Sequence, residues 1–132
     1  MQTTNNRGQV DFVCNGSFSG IADKTYLWSG DQSSIVVSVD GTPLADIFET
    51  LPANQNVDVL DIDVEGHDYE VLVSFDMTIH HSRLILIESH NLDPSRDIHG
   101  YLTSNEYSKI VRLRLTDVYE DVKSHSTEKS SL

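Results

Sequence analysis

The feature that most constrains this chain is residues 58–72, DVLDIDVEGHDYEVL, where an apolar strand pattern runs into carboxylates, a glycine and then a helix pattern. In open α/β sheets, ligands bind beyond the carboxyl ends of the strands, so side chains at such a junction face the ligand crevice. Residues 84–91, LILIESHN, repeat the arrangement. Together the two segments predict a βαβ unit with parallel strands over 57–64 and 84–88, joined by a right-handed crossover.

The remaining elements are predicted from local patterns. We expect further strands over 10–14, 34–39, 110–115 and 118–119, and a return strand over 25–28 that pairs with 10–14. Strict alternation over 110–115 predicts one buried and one solvated face, with a turn at Thr116-Asp117.

Three helices are predicted from start signals and from apolar spacing. Thr42 caps the first, which has Pro43 at its first position; the second follows Gly66 and runs to about Phe75; Ser95 caps the third. Their buried faces are expected to carry Leu44, Ile47, Phe48 and Leu51, then Tyr69, Leu72 and Phe75, and finally Ile98, Tyr101 and Leu102. Residues 124–132 have no apolar pattern and are expected to be a disordered tail, which leaves residues 1–123 as a single domain.

Charge and composition exclude several classes of partner. The net charge is −12, with 21 Asp and Glu against 9 Lys and Arg, which argues against nucleic-acid and anionic-membrane surfaces. No apolar run approaches the ~18 residues that a membrane span needs. The single cysteine, Cys14, excludes an internal disulfide and, without a secretion signal, fits a cytoplasmic protein.

The motif I-D-V-E-G-x-[DE]-x-x-V-L at 62–72, the strand ending I-E-x-H-N at 87–91, and the helix and hairpin that follow carry a resemblance. Over residues 36–122 the chain resembles the C-terminal half of FkbM-type S-adenosylmethionine-dependent methyltransferases. The resemblance implies a partial Rossmann-like class I methyltransferase sheet, mostly parallel with a C-terminal antiparallel hairpin. It also implies S-adenosylmethionine as the cofactor and O-methylation of a sugar or other small-metabolite hydroxyl.

The same family carries, upstream, a first strand and a glycine-rich turn that hold the methionine end of the cofactor. Nothing before Val36 matches them, so we expect a truncated domain that is inactive alone and binds the cofactor weakly or not at all. The loss of that first strand would leave strand 57–64 exposed at the sheet edge, where self-association is expected. Asp68 stands where family members usually have Glu, and we expect it to act mainly on the helix dipole.

Three candidate catalytic residues follow from the strand ends. The resemblance places a carboxylate at Asp63 beside the reacting methyl group; its alternative role is to accept hydrogen bonds from loop amides and cap the next helix. Glu88 and His90 end the neighbouring strand, where a histidine among carboxylates can act as a general base. Asp63 and Glu88 are also possible Mg²⁺ ligands. Gly66 is expected to permit a tight turn or a close approach to the main chain. In the resembling family this lets a ligand near the backbone, so the resemblance makes Glu65 and Gly66 the candidate cofactor-binding residues.

Two rival functions stay open at this point. Asp61-Ile62-Asp63 fits the Asp-x-Asp motif with which metal-dependent glycosyltransferases hold Mn²⁺ on a nucleotide-sugar diphosphate. A degenerate module that keeps the fold and acts only through partners is the non-enzymatic alternative. His80-His81 lies in a connector and is expected to be solvated.

Overall fold

The computed structural model describes residues 2–3, 7–16, 19–22, 35–90 and 93–124. The chain divides into two compact units, Met1–Thr50 with Asp63–Phe75 and Leu51–Ile62 with Asp76–Leu132. The predicted return strand at 25–28 lies outside the described residues, as does all of the predicted tail except Ser124. The prediction of a single domain over 1–123 stays a prediction.

The first unit contains a four-stranded sheet in the order β1-β4-β2-β3. Its strands are β1 (Gln2–Thr3), β2 (Gly8–Cys14), β3 (Gly20–Ile21) and β4 (Ile35–Thr42). The long pair is β2 with β4, antiparallel from Gly8↔Gly41 to Cys14↔Ile35. The strands predicted over 10–14 and 34–39 are therefore confirmed, and both are longer than expected.

Helix α1 (Leu44–Glu49) begins after Pro43 and not at a Thr42 cap. Thr42 is still paired in β4, so its backbone cannot turn into the helix. The backbone N–H of Leu44, at the start of the helix, donates instead to Ser74 Oγ at 3.1 Å. On the predicted apolar face, Leu44 and Phe48 are buried.

Helix α2 (Asp68–Leu72) is shorter than predicted. Ser74 closes it, because its N–H and its Oγ both donate to the carbonyl of Val71, at 3.1 and 2.7 Å. Leu72 and Phe75 are buried as the predicted stripe requires. The Phe75 ring packs on Phe48 of α1, with centroids 5.2 Å apart.

The second unit contains a four-stranded sheet in the order β5-β6-β8-β7. Its strands are β5 (Val59–Ile62), β6 (Leu84–Glu88), β7 (Tyr107–Leu113) and β8 (Thr116–Asp121). Strands β5 and β6 are adjacent and parallel, from Val59↔Leu84 to Ile62↔Ile87, which confirms the central prediction. The handedness of their crossover stays a prediction. Strands β7 and β8 form the predicted closing hairpin.

The expectation of a mostly parallel sheet is wrong. Within the described residues the pairs β1–β4 and β5–β6 are parallel, whereas β2–β3, β2–β4, β6–β8 and β7–β8 are antiparallel. A two-residue turn between β7 and β8 allows only antiparallel pairing, since a parallel pair needs a long crossover. The chain is therefore a mixed α/β protein in which parallel pairing is the minority arrangement.

Strand β7 departs from the predicted alternation because it contains a β-bulge. Lys109 pairs with Tyr119 and Val111 with Val118, which leaves Ile110 as the extra residue. Residues 108–113 are all exposed. The turn into β8 lies at Arg114-Leu115, where Arg114 has φ 59°, and not at the predicted Thr116-Asp117.

Helix α3 (Ile98–Ser104) carries the predicted buried residues Ile98 and Leu102. Its cap is Asp97, whose carboxylate accepts the Gly100 N–H at 2.8 Å, and not Ser95. Ser95 is engaged by Asp93, to which its N–H and Oγ both donate. The fully buried side chains of this unit include Ile85, Ile87, Leu102, Tyr107 and Tyr119. Among the described helices, none is long and apolar enough to cross a membrane.

Candidate functional site

The carboxyl ends of β5 and β6 lie at the same edge of their sheet because the two strands are parallel. Ile62, the last residue of β5, pairs with Ile87. Asp63 is the next residue after Ile62, and Glu88 is the next after Ile87. The register thus places Glu88 at the edge of the sheet where ligands bind in open α/β sheets, while Asp63 directly follows the last residue of β5.

Asp63 is exposed, and in the described part of the chain its side chain makes no hydrogen bond or ion pair. The structural role that was its alternative, accepting loop amides ahead of the helix, belongs to another residue. Asp68 is 4% exposed, and its two carboxylate oxygens accept the N–H groups of Val64 and Gly66, both at 3.2 Å. The described residues therefore show no structural role for the Asp63 carboxylate.

The segment between Asp63 and α2 is a tight turn with left-handed backbone at two positions. Glu65 has φ 51° and Gly66 φ 96°, and the His67 N–H donates to the Val64 carbonyl at 3.4 Å. Positive φ at both central residues is the type I′ arrangement, which glycine adopts at low cost and glutamate does not. The prediction that Gly66 permits a tight turn is confirmed.

Asp68 does more than the expected interaction with the helix dipole. Because it holds the N–H groups of Val64 and Gly66, it fixes the turn that precedes its own helix. Sequence reasoning missed this role, although a carboxylate two residues after a turn glycine is a recognisable signal for side-chain to backbone bonding. The Gly66 amide is consequently directed at Asp68, which limits what the predicted cofactor-binding residues Glu65 and Gly66 can offer a ligand.

Glu88 and His90 are brought together at the end of β6. Glu88 Oε2 lies 3.1 Å from His90 Nε2, and the two side chains are 16% and 39% exposed. A carboxylate that holds one nitrogen of an imidazole orients the ring, which suits a group that must present its other nitrogen to a substrate. Asp63 and Glu88 each offer carboxylate oxygens, the ligands that Mg²⁺ prefers.

A cationic network beside this strand end was not predicted. The side chain of Asp117 is 3% exposed, and its carboxylate lies 2.7 Å from Lys109 Nζ and 3.4 Å from Arg112 Nη1. The β7 bulge makes this possible, since it places Lys109 and Arg112 on the sheet face of Asp117. No sequence pattern reveals a bulge of this kind, and the sequence predicted Asp117 to lie in the turn.

The expectation of a solvated His80-His81 is wrong for His81. Its ring stacks on Tyr107 with centroids 5.7 Å apart, and its Nδ1 lies 3.5 Å from Asp121 Oδ2. Tyr107 OH donates to the Ser82 carbonyl at 2.7 Å, and burial raises the pKa of this phenol to about 12. This cluster precedes β6, at the opposite end of the strand from Glu88, and we assign it to the core.

Comparison with known proteins identifies the family to which the chain belongs. The methyltransferase FkbM domain family matches residues 3–111, a range that begins earlier and ends earlier than the resemblance over 36–122. The matched range includes the ends of β5 and β6, the turn at 64–67, and Asp68, which holds that turn. No curated protein and no solved structure gives a significant match. By this match the chain belongs to the FkbM methyltransferase domain family.

Proposed function

We propose that the protein is an S-adenosylmethionine-dependent methyltransferase that methylates a hydroxyl group of a sugar or another small metabolite. The observation that carries the proposal is the FkbM domain match, which spans the ends of β5 and β6. The acceptor class comes from the family resemblance. A cytoplasmic location is proposed with it, in keeping with an exposed free Cys14.

The acceptor-side residues are Asp63, Glu88 and His90. S-adenosylmethionine, when bound, supplies an electrophilic methyl group on a sulfonium sulfur. His90 would accept the proton that the acceptor hydroxyl loses when it is methylated. Glu88, 3.1 Å from His90 Nε2, orients the imidazole and offsets its positive charge. Asp63, exposed at the end of β5, anchors the acceptor by hydrogen bonds.

On the cofactor side, Glu65 and Gly66 would act differently from each other. The Gly66 N–H is engaged by Asp68, so Gly66 contributes the absence of a side chain and thus close approach. Glu65 contributes its exposed carboxylate as an acceptor for cofactor hydroxyls. Participation of Mg²⁺ rests only on the oxygen ligands of Asp63 and Glu88.

Calorimetric titration with S-adenosylmethionine tests the proposal, run on the protein produced from its natural gene and on this chain. We expect saturable heat with the natural gene product, and the same titration on this chain measures what its own residues contribute to binding. The product S-adenosylhomocysteine should compete, and Asp63→Asn should leave the heat unchanged because Asp63 serves the acceptor. No heat with the natural gene product would overturn the proposal.

A non-catalytic module is the second candidate, and the bonds from Asp68 to the turn favour it. The turn at 64–67 satisfies its own amides through Asp68 and needs no ligand to hold its shape. A module of this kind should bind neither S-adenosylmethionine nor Mn²⁺ with a nucleotide sugar in the same titration. The family match gives no support to the glycosyltransferase reading of Asp61-Ile62-Asp63.

A further inference from the structure

Arg112 contacts the backbone directly between the two acceptor-side residues of β6. Its Nη2 donates to the carbonyl of Ser89 at 2.9 Å, and the Ser89 N–H donates to the carbonyl of Leu115 at 2.9 Å. Ser89 is 3% exposed. Since Ser89 lies between Glu88 and His90 and is past the last ladder pair of β6, the β7–β8 hairpin fixes the backbone on which both side chains stand.

The guanidinium of Arg112 is itself held in place. Its Nε donates to the Arg114 carbonyl at 2.9 Å, and its Nη1 faces both carboxylate oxygens of Asp117, at 3.4 and 3.5 Å. Lys109 is the second cation on Asp117, at 2.7 Å. Loss of either cation therefore leaves the buried carboxylate paired with the other, which avoids the large cost of a buried unpaired charge.

We propose that Arg112 is a positioning residue that holds the end of β6 so that Glu88 and His90 stay within hydrogen-bond distance. Arginine suits this task because its planar fork donates in several fixed directions at once, here to Ser89, Arg114 and Asp117, whereas a lysine ammonium is a point charge. That this position of Glu88 and His90 matters for catalysis rests on the proposed function. The placement itself is measurable without any activity.

The test is Arg112→Lys, which keeps the charge on Asp117 and removes the fork. Loss of a hydrogen bond from a charged donor corresponds to roughly 10–100-fold in a local opening equilibrium. We expect the Ser89 amide to exchange with solvent about 10–100-fold faster, while the Val118 amide in the sheet interior keeps its rate. The ¹⁵N signals of the His90 imidazole should move towards those of Glu88→Gln, in which the carboxylate partner is removed.

Lys109→Gln is the matched control, because Lys109 also binds Asp117 but, within the described residues, makes no hydrogen bond to Ser89. It should leave Ser89 exchange and the His90 signals as in the unchanged protein. Equal effects of the two substitutions would overturn the proposal, as would unchanged Ser89 exchange in Arg112→Lys. If Arg112→Lys does not fold, NMR on the unchanged protein decides. A scalar coupling between Arg112 Nη2 and the Ser89 carbonyl carbon, transmitted through their hydrogen bond, supports the proposal, and its absence overturns it.

Turnover separates this inference from the proposed function. If methyl transfer is detected, Arg112→Lys should lower kcat and leave the KM for S-adenosylmethionine unchanged, since the cofactor side is untouched. A raised KM with unchanged kcat would contradict a positioning role at the acceptor side. Absence of methyl transfer in the unchanged protein would overturn the proposed function alone, and the exchange and imidazole signals would still decide the role of Arg112.

Discussion

Asp68 should be the most costly single carboxylate to replace in the motif. It is buried and accepts two backbone N–H groups, at 3.2 Å each. In Asp68→Asn one oxygen remains as an acceptor, while the new NH₂ group faces the other amide, donor against donor. Hydrogen bonds to charged groups contribute about 1.5–3 kcal/mol, and neutral ones about 0.5–1.5 kcal/mol. Losing one of the two hydrogen bonds to residue 68 and weakening the second should lower the free energy of unfolding by roughly 2–4 kcal/mol.

Urea unfolding followed by circular dichroism measures this change, with amide exchange at Val64 and Gly66 as the local readout. The matched control is Asp63→Asn, five residues earlier in the same motif. Its exposed side chain makes no bond in the described ranges, so its effect should lie within about 0.5 kcal/mol. The account would be refuted by an Asp68→Asn protein as stable as the unchanged one, or by a larger loss of stability in Asp63→Asn. Either result would show that Asp68 does not hold the turn.

Three further predictions concern other parts of the fold. A Cβ on Gly100 would clash with the Asp97 carboxylate that caps the helix, so Gly100→Ala should not give the ~1 kcal/mol gain usual in a helix. In an Asp97→Ala background, where no cap is left to displace, the gain should appear in urea unfolding. Burial raises the pKa of Tyr107 to about 12 from 10, so stability should be complete below pH 10 and decline between pH 10 and 12, less steeply in Tyr107→Phe; a flat profile would contradict this burial. In the sheet formed by the described residues, β5 is an edge strand, and Val59 is 53% exposed. Light scattering should therefore show self-association at high concentration that Val59→Lys reduces, and a monomer throughout would count against it.

The sequence predicted the elements that rest on local apolar patterns. The parallel pair β5–β6 and the buried faces of α1 and α3 were found because continuous runs and helical spacing mark them directly. The position of Glu88 at the carboxyl end of β6 was also predicted, since the apolar run 84–87 ends there.

What the sequence did not predict depends on contacts between distant residues. The start of α1 was misassigned because Ser74, 30 residues away in sequence, accepts the Leu44 N–H. The start of α3 was misassigned because Asp97, and not Ser95, accepts the Gly100 N–H. The role of Asp117 depends on the bulge at Ile110, which shifts the facing of β7 by one residue. Alternation along one strand carries no information about such a shift.

The central claim is that the ends of β5 and β6 serve an acceptor hydroxyl, and methyl-transfer turnover of Asp63→Asn and His90→Ala tests it most directly. The assay follows a labelled methyl group from S-adenosylmethionine into hydroxyl-bearing sugars and small metabolites, with the protein expressed from its natural gene. We expect turnover to fall by about 10²–10⁴-fold in His90→Ala, the range of a lost general base, and to fall in Asp63→Asn, with unfolding free energies little changed. Unchanged turnover in both variants would contradict the account and leave these residues as parts of the scaffold.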